Sequence, residues 1–280
     1  MSEDLRGLRQ VGAAHPDVRH ALLIGRGAES GQLLISGLWA HRAALDAAVG
    51  IDAFFCTPEL LYSDQGQDVA RAVADRAQAA YRVSEKTIGR LSDSHRSVDG
   101  IASVIRMPQW RPDSVRLPAD PLVVVADGLS SPGNLGTVIR TMDACGADLL
   151  IMTGIRARAT TASVFKGSRG RMLTVPQIVI DSPQDAAHWL AARSIMIKVA
   201  DADGSQPYTA AQWSGPTAIV IGNEHAGPSA AWRGFDRVRI PMLGRADSLN
   251  VAVSAAVLLY HARAERAGWS AQAGQAYRLG

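Results

Sequence analysis

Apolar positions in the first third of the chain switch repeatedly between a period of two and a helical period. Gln32 to Ser36 (QLLIS) reads as a short strand, Gly37 to Val49 as an amphipathic helix and Ile51 to Cys56 as a second strand. Gln67 to Ala79 follows as a polar-faced helix and Ala80 to Val83 as a strand. Ser84 to Leu91 is a helix with Ser84 at its cap, and Ile101 to Arg106 a last strand. Between Met107 and Pro121 the sequence MPQWRPDSVRLPADP has four prolines and no sustained periodicity. It reads as an interdomain connection, with Trp110 and its neighbours able to pack on either side. Beyond it, Leu122 to Ala126 is a continuous apolar run suited to a strand buried on both faces. A turn through Asp127, Gly128, Pro132, Gly133 and Asn134 precedes a helix from Leu135 to Cys145. Further strands are expected at Leu149 to Met152, Ile195 to Ala200, Thr217 to Ile221 and Arg237 to Pro241. This alternation predicts a mostly parallel sheet covered on both faces.

The last stretch, from Arg239 to Glu265, organises the rest. After Ile240 the chain breaks at Pro241 and Gly244, then enters Ser248-Leu249-Asn250 and a long Ala/Val/Leu run. Asp247 or Ser248 can accept from the free N–H groups of the next turn, so a helix is expected from there through Ala264. Leu249, Val251, Val253, Ala256, Val257, Leu258 and Tyr260 leave almost no polar face before His261, which predicts burial on nearly all sides.

At 280 residues the chain is long enough for two domains, each with its own core. Boundaries are expected at 1–107, 108–120 and 121–280. An apolar fraction of 47% and a mean hydropathy of +0.02 describe a globular protein. No run approaches the roughly 18 apolar residues that span a bilayer, and the start MSEDLRGLRQ lacks the apolar segment of a signal peptide. The expectation is therefore a cytoplasmic protein without a membrane partner. Cys56 and Cys145 lie far apart and read as buried thiols, and the seven histidines show no ligand spacing, so no metal is expected.

Net charge is only +3, but its distribution is informative. From Leu149 to Ile180 stand Arg156, Arg158, Lys166, Arg169 and Arg171 without one acid. Such a segment projects a positive field suited to a phosphate backbone, unless it is a solvated loop with incidental charge.

Three loops of similar character each follow a predicted strand. They are Asn134 to Arg140 (NLGTVIR), Ile221 to Ser229 (IGNEHAGPS) and Ile240 to Asn250 (IPMLGRADSLN). Open α/β sheets bind ligands at that edge. A dinucleotide-binding unit would need G-x-G-x-x-G and an acid about 20 positions on. Here the spacing is Gly133-Asn134-Leu135-Gly136, Arg140 sits in the following helix, and Asp148 begins a strand instead of ending one.

In this order and at these spacings, the three motifs resemble the SpoU (TrmH-like) RNA ribose 2′-O-methyltransferases of the SPOUT superfamily. The resemblance covers residues 121 to 267 through N-x-G-x-x-x-R, G-N-E-x-x-G-x-S and I-P-M-x-G-x-x-x-S-L-N-V. The N-terminal stretches QLLISG, TPELL, VSEKTIGRLSD and GIASVIRMP resemble, more loosely, a ribosomal-protein-like substrate-binding domain. The resemblance implies an α/β fold whose mostly parallel sheet carries a C-terminal trefoil knot, plus a smaller N-terminal α/β domain that binds RNA. It also implies S-adenosyl-L-methionine as cofactor and a homodimer with a site built at its interface.

Carried over by motif, Gly222, Ile240, Met242 and Leu249 would hold the cofactor, largely through backbone groups. Asn134, Arg140, Glu224, Ser248 and Asn250 would line the reacting centre. Arg140 has too high a pKa for an ordinary base. Its expected role is to fix the target phosphate and stabilise the developing alkoxide, with direct deprotonation as the competing version. Glu224 either caps a helix after Gly222 or anchors the loop or an arginine of a partner subunit, and His225 reads as a loop residue. Lys166-Gly-Ser-Arg-Gly170 resembles the segment in which thiostrepton-resistance relatives carry a second functional arginine, with Arg169 at the matching position. Lys166 and Arg169 are therefore expected RNA contacts, and ribosomal RNA is favoured over transfer RNA. Ser36-Gly37 replaces the acidic-Gly pair common in relatives. A transfer-RNA enzyme, a non-catalytic RNA-binding assembly factor of the same fold and a SPOUT base methyltransferase remain alternatives.

Overall fold

Capping residues and buried strand faces explain where the elements begin and end. The computed structural model describes residues 5–27, 31–92, 99–154 and 162–269. Contacts divide the chain into one unit of Met1–Gln109 with Thr160–Thr174 and another of Trp110–Ala159 with Val175–Gly280.

In the first unit the elements are β1 (Arg9–Gln10), α1 (Pro16–Gly25), β2 (Gln32–Ser36), α2 (Leu38–Asp46) and β3 (Ile51–Cys56). They continue with α3 (Asp64–Arg76), β4 (Ala77–Arg82), α4 (Glu85–Leu91) and β5 (Ile101–Arg106). The sheet order is β1-β4-β3-β5-β2, parallel across β1, β4 and β3, with β5 antiparallel to β3 and to β2. Val18, Ala21, Phe55, Ile88 and Val104 meet in its core. One buried polar pair crosses that unit. His41 Nδ1 lies 2.7 Å from the Gly37 carbonyl, which can only accept, so the ring proton sits there and Nε2 accepts from Ser103 Oγ at 2.9 Å. Burial pulls the His41 pKa down to about 4, against the opposing pull of Gly37 and Asp99.

The expected helix over Gln67 to Ala79 begins and ends three residues earlier, because Ser63 accepts from Gly66 N and sets the start. The freed residues lengthen β4, which pairs with both β1 and β3. Helix α1 was not anticipated; its signal is Pro16 at the first position behind a His15 side chain that accepts from Asp17 N.

The second unit runs β6 (Leu122–Asp127), α5 (Pro132–Cys145) and β7 (Leu149–Thr153). The chain then contributes α6 (Ala162–Gly167) to the first unit before β8 (Gln177–Val179), α7 (Pro183–Ala191), β9 (Met196–Ala200) and β10 (Gln206–Pro207). It ends with β11 (Thr217–Ile221), β12 (Asp236–Arg239) and α8 (Val251–Ala267). Its seven strands are all parallel, in the order β10-β12-β9-β11-β6-β7-β8. The central strands β6, β7 and β11 are buried at every position, as their unbroken apolar runs require. Strands β8 and β10 were not anticipated, because two or three residues carry no readable period.

Two boundaries differ from the sequence expectation of 1–107, 108–120 and 121–280. Trp110, Val115 and Leu117 pack on the second unit's core and Trp189 Nε1 donates to Pro112 O, so this stretch belongs to that unit. Residues 162–174 leave the second unit and pack on the first. Trp39 of α2 stacks on Phe165 with ring centroids 5.2 Å apart, and the Arg169 guanidinium lies 4.7 Å from the Trp39 ring. Arg156 and Arg158 lie outside the described residues.

Candidate active site

Parallel register brings the carboxyl ends of β6, β7 and β11 to one edge. Ile221 pairs with Ala126, and Asp127 with Thr153. Asp127 is 4% exposed; its carboxylate accepts from Thr153 Oγ1 at 2.8 Å and from Ser229 N at 2.7 Å. It therefore ties β7 and the end of the second motif to β6. Asp127 is expected from the sequence only as a turn residue, and the signal for its second role is an acid directly after an all-apolar strand.

Helix α5 starts earlier than expected, at Pro132, with the Ser131 side chain accepting from Asn134 N at 3.3 Å. Asn134 thus lies in the first helical turn, not in the preceding loop. Around it the three motifs meet. Asn250 Nδ2 donates to Asn134 Oδ1 at 3.1 Å, and Asn134 Nδ2 donates to Glu224 Oε1 at 3.0 Å. Glu224 also accepts from Ser131 N at 3.0 Å and from Ser130 N and Oγ at 3.2 and 2.9 Å. Burial raises the Glu224 pKa, but the donors from Asn134, Ser130 and its own backbone outweigh it and hold the carboxyl down at about 2. Of the two roles weighed for Glu224, capping a helix after Gly222 is wrong. No helix follows Gly222; Asn223 and Gly227 close a tight turn there, with Asn223 Nδ2 donating to Gly128 O at 2.9 Å. The carboxylate instead sits at the start of α5, where free N–H groups favour an anion.

Gly222 is buried, and a Cβ on it would come within 2.0 Å of Pro228 N and 2.1 Å of Gly227 C. The close approach that makes glycine necessary is thus the return of its own motif. Ile240 and Met242 are half-buried and Leu249 is 38% exposed. Residues 241–249 make no backbone-to-backbone hydrogen bond among the described residues, leaving a run of free carbonyls and amides at this edge.

Two expectations about the end of the chain are corrected. Neither Asp247 nor Ser248 caps α8: Asn250 does, accepting from Ala252 N at 2.9 Å, while Ser248 Oγ reaches only Asp247 Oδ1 at 3.4 Å. The helix is not buried on all sides either. Ala252, Ala255, Leu258, Leu259 and Ala262 face α5 and the sheet, but Val253 and Tyr260 are 49% and 43% exposed. The exposed side of α8 is thus apolar at Val253 and Tyr260.

Of the five residues expected at the reacting centre, the structure joins Asn134, Glu224 and Asn250 directly. Arg140 is exposed and has no hydrogen bond or ion pair among the described residues. It stands six positions beyond Asn134 on α5, about 9 Å of helix rise away and on a different side. Ser248 is exposed on the 241–249 stretch. Lys166 and Arg169 are exposed in the segment that packs with the first unit.

An all-parallel sheet with three interlocked loops on its carboxyl edge is an α/β domain of the kind that binds ligands at that edge. The profile of the SpoU rRNA Methylase family matches residues 121–260, the stretch that carries all three loops. The chain belongs to that family. It is 34% identical over 183 residues to the 23S rRNA (uridine(2479)-2′-O)-methyltransferase of Streptomyces viridochromogenes, covering 63% of this chain and 64% of that enzyme. The chain thus spans just under two thirds of that relative's length. Against the 23S rRNA (guanosine(2553)-2′-O)-methyltransferase RlmP of Bacillus subtilis (strain 168), identity is 31% over 185 residues, 65% of this chain and 72% of that one. The crystal structure of the SpoU methyltransferase AviRb from Streptomyces viridochromogenes, in complex with the cofactor AdoMet, superposes with a TM-score of 0.78. The match covers 90% of this chain and 98% of AviRb at 26% identity.

Proposed function

We propose that this chain is an S-adenosyl-L-methionine-dependent RNA 2′-O-ribose methyltransferase acting on ribosomal RNA. The observation that carries this reading is the hydrogen-bonded line Asn250, Asn134, Glu224, which locks the three motif loops together beside a run of free backbone groups. The residues at this edge fit the cofactor: adenine and ribose call for backbone donors and acceptors with apolar flanks. Residues 241–249, with Ile240, Met242 and Leu249, offer both, and the Gly222 turn supplies a tightly folded wall.

When bound, the cofactor supplies an electrophilic methyl group. The chain must then bring a ribose hydroxyl into line and accommodate the proton it loses, and positioning can be worth up to about 7–11 kcal/mol. Arg140, exposed and unpaired, takes the target phosphate and stabilises the alkoxide as it develops. Glu224 and Asn134 spend their hydrogen bonds on each other and on Ser130, Ser131 and Asn250, so they act as positioning residues for the loops. Asn250 shapes the start of α8 and, with Ser248, borders the reacting centre.

The apolar outer side of α8, with Leu249, Val253 and Tyr260, supports a homodimer. A trefoil knot is part of the same reading: β12 lies outside β9 at the far side of the sheet from β7, yet the next helix returns to α5 and β11. The first unit, with Lys166 and Arg169, would bind the RNA. The activities of the rRNA-methylating relatives favour ribosomal over transfer RNA. No described helix is long and apolar enough to cross a membrane, and we place the enzyme in the cytoplasm with its substrate.

The test incubates ribosomal RNA with the protein and labelled cofactor, then digests the product to nucleosides. A 2′-O-methylnucleoside is expected; base methylation or no transfer overturns the reading. Arg140→Ala should lower turnover by about a hundredfold or more while cofactor binding stays unchanged.

A further inference from the structure

The first unit contains an open cavity of about 420 Å³, within the size range of small-molecule sites. One wall is the chain after β1, where Val11 is buried and its N–H donates to Arg82 O at 3.0 Å. Gly12 stands beside it, exposed, with no atom within 4 Å of where a Cβ would be. The opposite wall is α4, which presents Lys86, Thr87 and Arg90 to the cavity, with Ser84 at its start.

The charge of this cavity is uncompensated. Lys86 and Arg90 are one helical turn apart, both exposed, and neither makes a hydrogen bond or ion pair among the described residues. Like charges at that spacing repel each other, so the pair costs the helix something unless an anion comes between them. Among the described residues, no carboxylate lines the cavity. Glu59 is paired with Arg82 and Asp17 accepts from Tyr81 Oη, so two acids borne by nearby elements are already engaged. Glu85 precedes Lys86 on α4 but is not among the lining residues. The start of α2, the other obvious anion position in this unit, is already filled: Asp99 Oδ2 accepts from Leu38 N at 3.2 Å.

Resting on the reading of the chain as an RNA methyltransferase, we propose that this cavity receives one unstacked nucleotide of the RNA strand. Its phosphate would lie against Lys86 and Arg90 and its base or ribose against Val11 and Gly12. An apolar wall beside paired cations and hydroxyls suits recognition of a nucleotide drawn out of a stack, as single-stranded RNA allows. The cavity then supplies a contact remote in sequence from the motif loops, and one that depends on shape as well as charge.

The experiment uses the full chain with a short single-stranded RNA of mixed sequence, titrated at several salt concentrations. Lys86→Ala combined with Arg90→Ala should weaken binding about tenfold and make the salt dependence shallower by about 0.7 in log–log slope, the share of the one phosphate the two cations hold. Gly12→Phe fills the cavity and keeps both charges, so it should weaken binding about tenfold with the slope unchanged. Circular dichroism and thermal melting of each variant report on folding. Wild-type affinity in a folded Gly12→Phe variant would reduce the site to a basic surface and overturn the proposal, as would an unaltered slope in the double variant. Adenosine monophosphate serves as competitor: equal occupancy by the free nucleotide would reassign the cavity and overturn its role in RNA binding. Cofactor binding and methyl transfer are followed separately. Their absence alongside these binding results would count against the activity, not against the cavity.

Discussion

Glu224 shows how one side chain can tie two separate loops together. Its carboxylate collects donors from Ser130, Ser131 and Asn134, so the second motif is pinned to the start of α5. With the folded pKa near 2 and an ordinary value of 4.5, the ionised form is favoured by folding. The stabilisation is therefore complete above about pH 4.5 and is lost as pH falls toward about 2. Glu224→Gln should remove it, because an amide cannot accept at both oxygens and turns an N–H toward the Ser131 or Asn134 donors. The expected cost is about 1–3 kcal/mol at neutral pH, read by urea denaturation, with a flatter stability profile between about pH 4.5 and 2 than the unaltered chain. An unchanged acid profile would mean that Glu224 is solvated instead of anchored. The motif residues themselves were legible in sequence, but their partners were not. Asn134 lies 90 positions from Glu224 and 116 from Asn250, and only the parallel register of β6 and β11 brings those loops together. Gly222 illustrates the same limit: the need for a glycine was readable, the identity of the crowding neighbour, Gly227 and Pro228, was not.

At the scale of elements, the long buried strands were the readable part, because an unbroken apolar run such as Leu122 to Ala126 has few other uses. Helix starts were harder, since several side chains near each end could cap. Residues 241–249 contain Asp247 and Ser248, yet the helix starts after them at Val251. Asn250 serves two purposes at that point: its Oδ1 caps α8 through Ala252 N, and its Nδ2 reaches Asn134 on α5. The two can be separated. Asn250→Ala should lose both, costing about 1 kcal/mol for the cap and leaving residues 241–249 easier to cleave. Asn250→Asp keeps an acceptor at a helix start, where negative charge is favoured, but cannot donate to Asn134. It should recover the thermal stability but not the protease resistance of 241–249. Equal protease resistance in all three proteins would show that the Asn250 to Asn134 bond does not restrain the loop. The exposed side of α8 was misjudged for a physical reason. An all-apolar helix must be covered, but the sequence does not say whether its own chain or a second copy does so.

At the scale of the whole molecule, the two-part organisation was legible from the change in character around residues 107–121, but its continuity was not. Residues 162–174 depart from the second unit and pack on the first, burying Val164, Phe165, Met172 and Leu173. Trp39 stacks on Phe165, Arg169 lies over Trp39 in a left-handed backbone conformation, and a Cβ on Gly170 would meet Ala43 Cβ at 2.5 Å. No hydrophobic period signals such an exchange, because each short run would look equally buried against either partner. A clean cut at 118, natural from sequence, would therefore remove Trp110, Val115 and Leu117 from the second unit's core. A cut at 110 keeps that core but still strips the cover from 162–174. Burial of each large side chain in that segment is worth about 1.5–3 kcal/mol, all of it forfeited in a fragment of residues 110–280. Such a fragment should be cleaved by chymotrypsin at Phe165, Met172 or Leu173 at enzyme levels that leave those bonds intact in the full chain, while the sheet from β6 to β11 stays resistant. Mass spectrometry of the products identifies the sites. Equal protection of 162–174 in fragment and full chain would mean that the segment does not depend on α2 for its burial, and that the boundary belongs where the sequence alone put it.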